Sequence, residues 1–117
     1  MRERRPKLLV DALAAIDAAS IFAQGQSLES YEANLMLRSA VERQLEILGE
    51  ACARLVHEDS EMLELVPAAR LAIGLRNRII HGYDAVDDET VFRTVSDDLL
   101  AMRLQLQVAL ARITVAE

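Results

Sequence analysis

Apolar residues recur at spacings of three and four along almost the whole chain, and no alternating pattern of strand type interrupts them. Leu8, Leu9, Ala12, Ala15, Ile16, Ala19, Ile21 and Phe22 predict a helix over residues 7–23 with one buried face, ended by Gly25 as its cap. A second helix is expected to start at Ser27 or Ser30, either of which can accept from first-turn N–H groups, with Glu29 favourable beside them. Its stripe (Leu37, Val41, Leu45, Leu48, Cys52, Leu55, Val56) has near-heptad spacing and predicts about 30 helical residues. That is long for a chain of 117 residues, so part of it is expected to pack against a second copy. Arg38 and Glu42 on its flank have the spacing of a helical ion pair.

His57-Glu58-Asp59-Ser60 reads as a break, and a short helix capped by Ser60 is expected to reach Val66. Pro67 restarts the chain in a third helix that runs to about His81 and is closed by Gly82. An acidic turn, Tyr83 to Asp88, leads to a last helix carrying Val91, Val95, Leu99, Met102, Leu106, Ala109, Leu110 and Ile113. The expected fold is all-α: one domain over residues 1–117, an up-and-down bundle of four main helices with room for a short fifth.

Composition sharpens this reading in few places. The hydrophobic fraction is 52%, yet there are only two Tyr, two Phe and no Trp, so the apolar content is aliphatic and helix-favouring. No apolar run approaches the ~20 residues that span a bilayer. The basic start, Met1 to Lys7, is not followed by an uncharged signal-peptide core, and a lone Cys52 makes no internal disulfide; a reducing cytoplasm fits. A net charge of −6 argues against coating nucleic acid unspecifically, although Arg70, Arg76 and Arg78 make one segment locally basic just before Asp84, Asp87, Asp88 and Glu89.

That segment, Leu75-Arg76-Asn77-Arg78-Ile79-Ile80-His81-Gly82-Tyr83, holds the densest set of functional side chains. At roughly 100° per residue, Arg70, Gly74, Asn77 and His81 share one helix face, opposite an apolar arc of Leu71, Ala72, Leu75, Ile79 and Ile80. Gly74 costs about 1 kcal/mol of helix propensity, which close approach of a ligand or another backbone would justify. Arg76 falls inside the apolar arc. A guanidinium keeps its proton, so it either pairs with a carboxylate, Glu46 or Glu50 being the candidates, or faces a polar cleft. Arg76 and His81 are about 140° apart on an ideal helix, so spacing alone does not bring them together. A packing role for all of them stays open on chemistry alone: His81 bonded to a carbonyl at the helix end, Arg76 in an ion pair, Tyr83 half-buried.

Arg76, His81 and Tyr83 stand as R-x4-H-x-Y, which resembles the motif of HEPN-domain ribonuclease toxins, and most closely the HepT-like branch. The stretch Arg38 to Ala51 is similar to that group's second-helix signature, and Arg76 to Tyr83 with Val86-Asp87 to its third. One departure is the missing Trp that relatives often carry just before the motif helix. The resemblance implies a helical homodimer with both motifs facing a shared cleft, cleaving RNA without a metal or cofactor. By position, Arg76 would bind the scissile phosphate, and His81 would serve as general acid or base. Asn77 would orient the phosphate or the histidine, with Arg78 and Arg70 in support. It further implies a type VII-like toxin–antitoxin pair, in which a partner nucleotidyltransferase (an MNT-type antitoxin) neutralises the toxin by attaching AMP to Tyr83. Two readings compete: a noncatalytic helical dimer that scaffolds, or serves as substrate for, the transferase, and a plain dimerisation domain. Acidic charge and scarce aromatics favour the first of these over RNA binding; the intact Arg76, His81 and Tyr83 favour the ribonuclease.

Overall fold

The computed structural model describes residues 3–82 and 86–115, and every regular element in them is helical. Helix α1 spans Arg5–Ala23, with Pro6 in its first turn, where a missing N–H costs nothing. Beyond its end Gly25 takes φ +77°, the left-handed conformation that glycine tolerates best.

The expected helix of about 30 residues is instead two. Ser27 and Ser30 cap α2 (Leu28–Glu32) reciprocally: the Ser27 hydroxyl accepts from the Ser30 N–H at 3.0 Å, and the Ser30 hydroxyl from the Ser27 N–H at 2.9 Å. The chain then breaks at Asn34, whose side-chain oxygen accepts from the Leu37 N–H at 3.0 Å and starts α3 (Leu35–Glu58) afresh. Tyr31, fully buried on α2, stacks at a tilt on Phe92 with ring centroids 5.3 Å apart. Arg38 also departs from expectation. It reaches Asp88 at 3.6 Å and donates to the Glu32 carbonyl, joining α3 to α2 and to a later helix rather than pairing with Glu42.

Helix α4 (Met62–Leu65) is short, and Ser60 does not cap it; Asp59 accepts from the Glu61 N–H at 3.0 Å. The same Asp59 carboxylate receives Arg5 at 2.9 Å, tying the start of α1 to the end of α3. Helix α5 spans Ala69–His81, and the N–H of Ala68 just before it donates to the Gln105 side chain at 2.9 Å. Asp87 caps α6 (Asp88–Arg93), which passes through a π turn at Thr94–Asp98 into α7 (Leu99–Val115). Val91, Val95 and Leu99, before, within and just after the π turn, are all buried.

The core joins one side of each long helix: Leu9, Ala12 and Ile16 of α1, Leu45, Leu48 and Cys52 of α3, Ala72 and Leu75 of α5, Met102 and Leu106 of α7. Helix α1 packs on α3 and α7, and α5 packs on α3. The buried arc of α5 is Ala69, Ala72, Leu75 and Ile79, whereas Leu71 and Ile80, expected inside, are exposed. The glycine at the crossing is also not the expected one. A Cβ on Gly74 would meet open space, but one on Gly49 of α3 would lie 2.2 Å from the Arg76 Cβ and 2.7 Å from the Ala72 carbonyl oxygen. Gly49 therefore sets how closely α5 approaches α3. Among the described residues no helix is long and apolar enough to cross a membrane.

Candidate active site

Two clusters flank α5, and they differ in how firmly the chain holds them. The first surrounds Arg76. Its stem lies against Gly49, and its guanidinium emerges between α3 and α5 rather than in the core. One terminal nitrogen meets a Glu50 carboxylate oxygen at 2.8 Å, and the other donates to the Asn77 side-chain oxygen at 3.1 Å. The buried Nε has no hydrogen-bond partner among the described residues. The second Glu50 oxygen takes Arg54, one turn along α3, also at 2.8 Å. Glu46, the other carboxylate within topological reach, is 3.2 Å from Arg43 instead.

Arg76, Glu50, Arg54, Glu46 and Arg43 line a groove of about 650 Å³ between α1, α3 and α5. Leu8, Ala14, Ile47 and Ile80 supply apolar wall, and three arginines (Arg43, Arg54, Arg76) stand against three acids (Asp11, Glu46, Glu50). The Arg76–Glu50 pair is solvated on one side, so it contributes about 0–1 kcal/mol. A phosphate that offers Arg76 two acceptor oxygens can compete with a pair of that strength.

The second cluster is at the C-terminal end of α5. Asn77, Arg78, His81 and Gly82 line an open pocket of about 410 Å³. His81 is the last residue of the helix and exposed, and its imidazole makes no hydrogen bond to another described residue. Arg78 and His81 lie in the final turn, where the partial negative charge of unpaired carbonyls favours cations or anything donating a proton. Arg76 does not line this pocket, and His81 does not line the groove. Asn77 joins the two: it lines the pocket and accepts from Arg76. Arg70 is exposed on the same side of α5 but about 16 Å along the axis from His81, and it lines neither cavity. Tyr83 lies outside the described residues.

Two residues that the motif does not contain shape the site. Gly49 admits the Arg76 stem, and its signal in the sequence is a glycine inside a strongly helical stripe. Arg54 shares Glu50, a pairing readable from their spacing of four. Other reactive groups are less suited to chemistry. Burial pushes the Cys52 thiol up to about 12, so it stays protonated at neutral pH. Burial, then the nearby Glu42 and Asp88 charges, raises the Tyr31 hydroxyl. Glu42 itself is raised by burial and then by Asp88. Among the described residues no group of three or more His, Cys, Asp or Glu side chains is gathered to hold a metal ion.

Comparison with known proteins places this arrangement. The family model described as "Ribonuclease HepT-like" matches residues 12–109, a span containing both clusters. A Methanocaldococcus jannaschii protein named "Putative RNase MJ0125" is 29% identical over 99 residues, covering 85% of this chain and 84% of its own. Another from that organism, "Putative RNase MJ1380", is 29% identical over 100 residues, or 86% and 91% of the two chains. A Thermococcus cleftensis protein named "Probable ribonuclease HepT" is 26% identical over 103 residues, or 88% and 93%. No solved structure matches the chain. With an all-helical fold and a family match spanning both clusters, the chain belongs to the ribonuclease HepT-like family.

Proposed function

We propose that this protein is the toxin of a type VII-like toxin–antitoxin pair, a metal-independent endoribonuclease whose reaction centre combines Arg76 and His81 in a cleft between two copies. The observation that supports it most is the link through Asn77, which couples a guanidinium held at a groove edge to the pocket of an exposed histidine on the same helix. In this reading Arg76 forks onto the non-bridging oxygens of the scissile phosphate, displacing Glu50, and offsets the charge that builds there. His81 takes the proton of the ribose 2′-hydroxyl, whose oxygen attacks phosphorus, or returns a proton to the departing 5′-oxygen. One bond forms at the 2′-oxygen and the phosphorus–O5′ bond breaks, leaving a 2′,3′-cyclic phosphate and a 5′-hydroxyl. One histidine supplies one of these transfers, so a second copy facing the first would supply the other. Arg78, in the pocket with His81, would hold a flanking phosphate, and Arg70 one further along the strand.

Tyr83 follows His81 by two residues, with at most about 7 Å of chain between their Cα atoms. We assign it as the site where a partner nucleotidyltransferase attaches AMP, whose bulk and anionic phosphate would exclude RNA from Arg76 and His81. A second reading, a noncatalytic dimer that scaffolds the transferase, draws on the three carboxylates that face the three arginines of the groove.

Incubation of purified protein with RNA in EDTA separates the two. The ribonuclease reading expects cyclic-phosphate ends, no cut at a 2′-deoxy position, and no cleavage by a His81→Ala variant of unchanged helicity. Uncut RNA with unmodified wild type supports the scaffold. For the switch, the transferase with ATP should add AMP mass to wild type and not to Tyr83→Phe; equal labelling removes that assignment.

A further inference from the structure

Helix α7 is apolar on two opposite sides. Leu99, Met102, Leu106, Ala109 and Ile113 face the core. On ideal helical geometry, Leu100, Ala101, Leu104, Val108, Ala111 and Val115 fall within an arc of about 100° centred opposite that buried side. All six are exposed, Leu100 at 72%, Leu104 at 55%, Val108 at 50% and Val115 at 84%, and no polar residue of α7 falls among them. Scattered single apolar residues on a surface need no explanation, but a continuous stripe four turns long does.

We propose that this outer face of α7 is a self-association surface, on which α7 of a second copy lies antiparallel across a two-fold axis. Area and charge both favour that occupant. The stripe exposes on the order of 600 Å², so a two-fold contact buries roughly 1,200 Å² in total before flanking groups are added, the lower edge of stable interfaces. Asp97 and Asp98 precede the stripe and Arg112 stands near its far end, all exposed and none paired with another described residue. Antiparallel packing sets Arg112 of each copy beside the Asp97–Asp98 end of the other, and aligns the helix dipoles favourably. Parallel packing would instead oppose like charges. Arg103, on the flank toward α1, is already held by Asp17 at 2.8 Å and keeps that side of the stripe in register with its own bundle.

The contact is separate from the Arg76 groove. That groove borders α1 through Leu8, Asp11 and Ala14, whereas α7 meets α1 along the side that carries Asp17. A dimer closed at the motif cleft would therefore leave the stripe open, and pairing through α7 would join two such dimers.

Native mass spectrometry of the full chain, wild type against Leu104→Glu, tests the proposal. Leu104 lies outside the core, so far-ultraviolet circular dichroism should be unchanged while the assembly mass halves, whether wild type is a dimer or a tetramer. A charge reversal tests the orientation: Arg112→Glu should weaken assembly, and Arg112→Glu combined with Asp97→Arg and Asp98→Arg should restore it. A monomeric wild type, or Leu104→Glu of wild-type mass, overturns the proposal. Failure of the triple variant to recover assembly overturns the antiparallel arrangement.

Discussion

Arg76 and His81 stand five residues apart on one helix in contrasting surroundings. Around Arg76 the chain supplies nearly everything: the gap at Gly49, the Glu50 carboxylate, the Asn77 oxygen and the wall of a groove. His81 is at the helix end, exposed, in an open pocket where no described residue holds its imidazole by a hydrogen bond. The difference follows from angle. Arg76 is at the edge of the face that α5 lays on α3, and a charged group there must be given partners. His81 is on the solvent side, where water satisfies it. On the proposed reading, the fixed half would bind the phosphate and the open half would be where the switch acts.

The comparison breaks most readily at Gly49. Gly49→Ala puts a methyl group into the Arg76 stem and the Ala72 carbonyl, so α5 must move off α3. Overpacking of about 1–3 kcal/mol against a propensity gain of about 1 kcal/mol predicts a net loss of stability, measured by urea unfolding. Gly74→Ala, where a Cβ meets open space, should instead gain up to about 1 kcal/mol. Equal responses at the two glycines would mean that the crossing is not where α5 is fixed.

A smaller effect is expected at Glu50. Glu50→Gln keeps an acceptor for Arg76 but removes the charge that competes with phosphate, at a stability cost under about 1 kcal/mol. RNA affinity, measured by anisotropy at fixed salt, should rise a few-fold. A fall would mean that Glu50 positions Arg76 for substrate rather than occupying it.

The smallest effect lies among residues that line neither cavity, where the charges of Arg38, Glu42 and Asp88 act on the buried Tyr31. Burial and Asp88 raise the Glu42 carboxyl above its ordinary value. With a raised folded-state value, its contribution to stability is present below the unfolded value and is lost as pH rises through the folded one. Glu42→Gln should therefore melt above wild type at neutral pH, with the gap closing in acid. A gap that widens in acid would reverse the sign.

Much of this could be read from the order of residues. The apolar stripes of α1, α3, α5 and α7 are visible because each buries one side at helical spacing, and the polar face of α5 shows as the gaps between Ala69, Ala72, Leu75 and Ile79. The break at Asn34 was less visible. A residue that caps by its side chain also fits inside a helical pattern, and only its bond to Leu37 shows which role won. Ile80 and Leu71 look like core by hydrophobicity, yet their exposure depends on how α5 is rolled on α3, a tertiary choice made at Gly49. For the same reason Arg76 gives no sign in α5 alone of which carboxylate it meets. Glu46 and Glu50 are one turn apart, and only the crossing decides between them.

The central claim, that the held arginine and the open histidine serve one reaction, is tested most directly by RNA cleavage rates for Arg76→Ala, His81→Ala and the double variant, with helicity matched. Removing either group from a shared step should cost about 10²–10⁴ in rate, and the double variant should cut no slower than the slower single one. Losses that multiply, or wild type that leaves RNA intact, would contradict it.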